Sequence, residues 1–422
     1  MQNTTQDSRP LGGYSVLLDI PSSRNFWPSF LALVLAVLTS RAFYNVYFHP
    51  LAKFRGPRLA ALSTYWIYFY GRDGKIEKKL ELLHKKYHTH ALRVSPSELH
   101  ITDSQLYHEI YGQNTIFMKN PSFYASFVAR HNSFVEVDKD LHRQRKKLLS
   151  SAFSKSNISS MQPLLFSKID ALCQKLSRME DLGRVNIHNA FRCMTVDIIT
   201  ELEFGKSFDL LYEAKDATFD VQFVQAFDQV ANSTQIFYHF PALRWVITVA
   251  LPTLCGYVGL AIGGMTIFLQ TVEKASKDFQ SARSSRNVGE GEVILERLVD
   301  LSPTDFEEEA RNILVAGSDT TASTLSNAVY YICSNPDVKD KLIATLDEYA
   351  TSHDGKMDLS SLEKIPYLSA CVKESIRIAM PVPGGLPRVV PEPQPGKAPF
   401  MVEGHVVPPK ASSPLIQLAI SS

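Results

Sequence analysis

The stretch SPTDFEEEARNILVAGSDTTASTLSNAVYYICSN, residues 302–335, constrains this chain more than any other. Ser302 stands where a helix N-cap belongs, Pro303 at the first helical position, and acids fill the first turn, where they complement the helix dipole. Asn335-Pro336 ends it, because proline cannot continue a helix. Between these limits Phe306, Ala310, Ile313, Gly317, Thr321, Leu325, Ala328 and Ile332 recur every three or four residues, the period of a helix face. Some 32 residues rising ~1.5 Å each give a helix on the order of 48 Å, enough to cross a whole domain. At its centre lies Ala316-Gly317-Ser318-Asp319-Thr320-Thr321, a small pair followed by an acid and two hydroxyls. A buried helix has no packing need of that cluster, so it marks a site.

The remaining segments are mostly helical. Ile76 to Tyr87, Met161 to Arg178, Ile187 to Phe204, Leu342 to Tyr349 and Tyr367 to Met380 read as helices, the third closed by Gly205. Ala91–Ser95 and Glu98–Thr102 alternate like two short strands around Pro96. The expected fold class is therefore mainly α with small β-sheets (α+β). In Tyr367–Met380 the residues Leu368, Cys371, Val372, Ile376 and Ala379 form the expected buried stripe, with Glu374 and Arg377 paired at i, i+3 beside it. In Asp140–Phe153 the cations His142, Arg143, Arg145, Lys146 and Lys147 crowd one turn and a half, while Leu148, Leu149 and Phe153 follow at core spacing. A solvated face is the plain reading of such a charge run. Cations kept beside a buried face instead imply an anionic partner.

A formal net charge of +1 with evenly mixed signs gives no sign of nucleic-acid binding. The five cysteines, Cys173, Cys193, Cys255, Cys333 and Cys371, show no metal-binding spacing and suit a reducing compartment. From Asn25 to Ser40 the chain is uncharged and largely apolar; a snorkelling Arg41 extends this to a membrane span with Trp27, Tyr44 and Tyr47 near its ends. A cleaved signal peptide is the other reading, but no small-residue cleavage site follows. Lys53, Arg55 and Arg58 favour a cytosolic body by the positive-inside rule. The sequons at Asn157 and Asn232 would then go unused, leaving Asn3 lumenal. Trp245 to Val272 is uncharged, with Pro252, Gly256, Gly259, Gly263 and Gly264; it reads as a lip at the bilayer surface, or else as a second span.

Taken in order, these stretches resemble the microsomal cytochrome P450 family of haem-thiolate monooxygenases, most closely fungal enzymes of secondary metabolism. AGSDTT at 316–321 matches the family's oxygen-binding groove, Lys373-Glu374-Ser375-Ile376-Arg377 its E-x-x-R, and FHPLAKFRGPR at 48–58 its post-anchor neck. HRQRKKLLSSAF is similar to the helix whose cations bind haem propionates, TVDIITELEFGKSFD at 195–209 to a stretch of trichodiene oxygenases, and GLPRVVP at 385–391 to a propionate-binding strand.

The resemblance implies a P450 fold behind an N-terminal transmembrane helix. It divides the chain into a lumenal N-terminus (1–24), an anchor (25–48), a neck (49–58), a catalytic body (59–410) and a divergent tail (411–422). It implies haem b, an apolar terpenoid or polyketide substrate, NADPH through a membrane reductase, and an endoplasmic-reticulum location with the body facing the cytosol.

By the same resemblance Ala316 and Gly317 line the oxygen and haem groove, and Asp319 and Thr320 relay protons. Lys146, Arg145 and Arg388 are the propionate candidates, and Glu374 with Arg377 is a structural ion pair. The plain alternatives are a Thr320 hydroxyl bonded back to Ala316 and an Asp319 held in a structural ion pair. The family's F-x-x-G-x-x-x-C-x-G loop, which supplies the axial thiolate, has no counterpart in residues 1–422. The expectation is thus of a fold incomplete at its C-terminus, no metal ligand within the chain, and, as the alternative function, a truncated product or haem-free partner.

Overall fold

The computed structural model describes residues 26–129, 131–247, 262–285, 293–355, 357–382 and 384–413. The apolar N-terminal run forms helix α1 (Phe26–Tyr47), long and apolar enough to cross a membrane and unburied except at Asn45. The basic Ile76–Tyr87 segment forms α2, whose Leu80 and Leu83 close over a hairpin of β1 (Ala91–Arg93) and β2 (Leu99–Ile101). After β3 (Met118–Lys119) come α3 (Lys139–Ser150), α4 (Gln162–Arg178), α5 (Ile187–Phe204) and α6 (Gln222–His239). Next are α7 (Ile262–Ser285), α8 (Pro303–Ser334), α9 (Pro336–Ser352) and α10 (Pro366–Ala379). The chain returns as β4 (Arg388–Val389), a hairpin of β5 (Met401–Val402) and β6 (His405–Val406), and β7 (Ser412–Ser413). Several one-turn helices join these elements.

Local chemistry explains the ends. Ser302 Oγ accepts from Asp305 N at 3.2 Å and Pro303 opens α8. Gly205 closes α5 at φ +70°, a left-handed conformation that glycine adopts without strain. The main core gathers around α5 and α8, which pack along each other, with α6 and α7 beside them. Phe306, Ala310, Leu314 and Ala322 form the buried stripe of α8, and Ala190, Cys193, Val196 and Ile199 that of α5. A second core, under the neck, joins Leu51 and Phe54 to Leu99, Ile101, Phe117, Val390 and Val402. Strands β3, β4 and β7 form one antiparallel sheet in the order β3-β4-β7.

Two expectations about burial are corrected. No residue of α10 is buried, and Val372 and Ile376, on its expected core stripe, are half exposed. The face of α3 behaves likewise: Leu148 and Phe153 are exposed and nothing in the helix is buried. Periodicity identifies an apolar face but not how fully its neighbours cover it: Leu149 packs partly buried against the main core and α10 lies along α8, yet neither face is closed among the described residues. The lumenal segment 1–24 with Asn3, most of the apolar lip (248–261) and residues 414–422 lie outside the described residues.

Candidate functional site

Two clusters of chemistry stand on this frame. The first is the middle of α8. Gly317 meets α5: a Cβ placed there would lie 2.7 Å from Cγ1 of Ile199, so the missing side chain lets the helices close. Ala316 and Val315 are exposed on α8, leaving an open strip. Thr320 Oγ1 donates to the Ala316 carbonyl at 2.8 Å, the common resting bond of a mid-helix threonine. Asp319 Oδ1 forms an ion pair with Arg192 Nε at 2.9 Å, and the same guanidinium reaches Asp228 on α6. Both plain alternatives foreseen for Thr320 and Asp319 are therefore present as contacts. Neither contact is covalent, and both side chains remain partly open.

The second cluster is predominantly cationic, with Glu136 and Glu309 as its nearby acids. In the β3–β4 register Lys119 stands directly opposite Arg388. Like charges so placed destabilise a sheet by roughly 0.2–1 kcal/mol. Lys119 Nζ donates to the carbonyls of Ser133 and Phe134 at 3.3 and 2.7 Å, and Arg388 Nη1 to Tyr124 Oη at 2.8 Å; among the described residues neither is in an ion pair, and Glu136 and Glu309 act on Lys119 from farther off. Burial, then the nearby Arg388, pushes the Lys119 ammonium down to about 8. Burial, then Lys119, Lys146 and Arg388, lowers the His142 imidazole. Lys139 is lowered by burial and by Arg388.

Of the three propionate candidates, Arg388 and Lys146 border this cluster. Arg145 is committed to Asp305 at 2.7 Å. Lys119, Lys139 and Tyr124 are partners that sequence reasoning missed. Their signal is the strand register, which exists only once residues 118 and 388 meet. Glu374 and Arg377 form a two-bond pair at 2.7 and 2.6 Å on the exposed surface of α10.

A planar dianion fits what is present. Its carboxylates would be held by Lys119, Arg388 and His142. The metal side is different. Among the described residues no group of three or more His, Cys, Asp or Glu could hold a metal ion. Burial pushes the Cys193 thiol up to about 12, the reverse of what a thiolate ligand needs. Cys255 lies outside the described residues, and no axial ligand is assigned among the described ones.

The family model described as Cytochrome P450 matches residues 56–410. The chain belongs to the cytochrome P450 family. Among its curated relatives, cytochrome P450 monooxygenase sdnE of Sordaria araneosa is 30% identical over 397 residues, covering 89% of this chain and 75% of the relative. Cytochrome P450 monooxygenase BOT1 of Botryotinia fuckeliana is 29% identical over 413 residues, covering 92% and 78%. Among solved structures, a crystal structure of the cytochrome P450 CYP102L1 superposes with a TM-score of 0.61 at 18% identity, covering 81% of this chain and 73% of that one. The expected fold class and family are thus met: a P450 fold, mostly helical with small sheets. Family membership implies haem, a redox partner and a small-molecule substrate.

Proposed function

We propose that the protein is a membrane-anchored, haem-dependent monooxygenase. It inserts one oxygen atom of O2 into an apolar secondary metabolite of terpenoid or polyketide class, by hydroxylation or epoxidation. The observation that carries this reading is the opposed pair Lys119–Arg388, two cations facing each other across the sheet with no ion-pair partner among the described residues. When bound, haem b would supply oxygen activation; electrons would come from NADPH through a membrane reductase. The chain's own residues do the rest. Lys119, Arg388 and His142, with Lys146 and Lys139 behind them, hold the propionates. Ala316 keeps α8 low so that oxygen can approach its backbone. Asp319 takes protons from the solvent side, and the Thr320 hydroxyl, turning from the Ala316 carbonyl, passes them to oxygen.

The substrate class rests on the wall beside the cations. Phe123 and Phe134 pack edge-on against Tyr124, with Phe127 edge-on against Phe134, and the Tyr124 hydroxyl meets Arg388, so the charged rim borders an aromatic, water-excluding cluster. The exposed apolar α1, followed by Lys53, Arg55 and Arg58, supports a single-pass anchor in the endoplasmic reticulum with the body in the cytosol. The family match along the body and the monooxygenase names of its relatives favour this reading over a haem-free partner.

The test is to express the gene's protein product in yeast microsomes with a reductase and add carbon monoxide to the reduced membranes. The expected result is the Soret shift of thiolate-ligated haem together with NADPH-dependent oxidation of an apolar probe. Haem-replete membranes without either would contradict the proposal.

A further inference from the structure

Arg192, on α5, is only 5% exposed and carries two carboxylates from two other helices. Its Nε lies 2.9 Å from Asp319 Oδ1 in an ion pair. Its Nη1 donates to Asp228 Oδ2 at 3.1 Å, its Nη2 lies 2.8 Å from Asp228 Oδ1, and the guanidinium lies 5.5 Å from the Phe227 ring centre. The hold is unequal. Asp228 has a charge-assisted hydrogen bond and a second ion contact, and Asp319 a single ion contact. A buried guanidinium stripped of every anion is strongly disfavoured. Asp319 can therefore leave Arg192 only while Asp228 stays.

We propose that Asp228 is a positioning residue for Asp319, acting through Arg192: it is the standing counter-charge that permits the Asp319 carboxylate to detach and serve the Thr320 face. The inference rests on the proposed role of Asp319 in proton delivery. Asp228 belongs to α6, whose far end is tied to the sheet by the Tyr238 hydroxyl donating to the buried Glu98 carboxyl. The detachment of Asp319 is thus set by where α6 sits. His188 on α5, which shares a hydrogen bond with Ser326 Oγ at 3.0 Å, feels the same three charges; burial and Arg192 keep it from adding a further cation.

Asp228→Asn keeps the shape and removes the charge. Its side chain is 56% exposed, so the variant folds without burying a new polar group. Arg192 then has Asp319 as its only anion. The expected result is a fall of about tenfold in product formed per NADPH, a matching rise in peroxide, a larger solvent isotope effect and an unchanged KM. Asp228→Glu restores product formation. A rivet that only holds helices together would leave the product ratio and isotope effect at wild-type values, and that result overturns the proposal.

A second readout is independent of turnover. In urea unfolding of the haem-free, detergent-solubilised protein, Asp228→Asn and Asp319→Asn each leave Arg192 one carboxylate. Each is expected to lower the folding constant by less than about tenfold, and the pair to lower it several-fold beyond the product of the two. Strict additivity would show that the acids do not share Arg192, and overturns the proposal too. A wild-type protein that never turns over would instead sink the oxygenase reading, and the unfolding cycle would still decide whether the acids are coupled.

Discussion

Two charged regions of the molecule are built on opposite plans. Around Arg192 each charge has its partner: one guanidinium and two carboxylates on three helices, closed by ion-pair contacts of 2.8 to 3.1 Å. Around Lys119 and Arg388 the charges share one sign and face each other across a sheet, with carbonyls and a phenol as their hydrogen-bond acceptors. The first region is complete within the chain and can act as a switch among its own members. In the second, Glu136 and Glu309 act on Lys119 without an ion pair, and an anion from outside would supply one. Proton handling is assigned to the first and cofactor binding to the second for this reason.

The largest expected effect separates the two directly. Asp319→Asn removes the acid but leaves Arg192 with Asp228, so the fold and haem content persist while product formation falls by about 100-fold, measured as single-turnover rate. Equal rates would break the contrast by showing that the Arg192 cluster is structural only. Next in size is Gly317→Ala, which drives a Cβ to within 2.7 Å of Ile199 and is expected to cost roughly 1–3 kcal/mol in urea unfolding. Ile199→Val added to it should recover part of the loss, since the clash is with that side chain.

A smaller effect sharpens the other side. The Lys119 ammonium titrates at about 8 in the folded state, below its ordinary 10.5. Between those values the unfolded chain binds more protons than the native one, so stability of the haem-free protein rises with pH across about 8 to 10.5 and is lost again as pH falls through 8. The slope approaches one proton. It should vanish in Lys119→Met and flatten when haem fills the site; a slope untouched by either would remove the argument from repulsion.

Much of this was legible in the residues, for identifiable reasons. Helix α8 declared its limits through Ser302, Pro303 and Pro336 because caps are local chemistry. The end of α5 at Gly205 and the β1–β2 hairpin around Pro96 were legible on the same ground. Burial of α10 and α3 was misread because an apolar stripe needs a partner that periodicity does not identify. Arg192, Asp228, Lys119 and Tyr124 were invisible for a related reason. Their meaning arises where α5, α6 and α8 cross, or where residues 118–119 pair with 388–389, and nothing near them in the chain encodes those meetings. Gly317 was expected to line the groove on the strength of its motif; the structure sets it against Ile199, so the small pair divides its work between a packed face and an open one.

The central claim is that the Lys119–Arg388 pair is the anion-binding edge of a haem site. Haem titration of the purified protein, followed by Soret absorbance, tests it most directly, with Arg388→Ala, Lys119→Ala and, on the exposed side of α3, Lys147→Ala as control. The account predicts one haem per chain, affinity weakened by about tenfold or more in each of the first two variants, and no change in the third. Saturable binding with equal affinity in all four proteins, or no saturable binding in any, would contradict it.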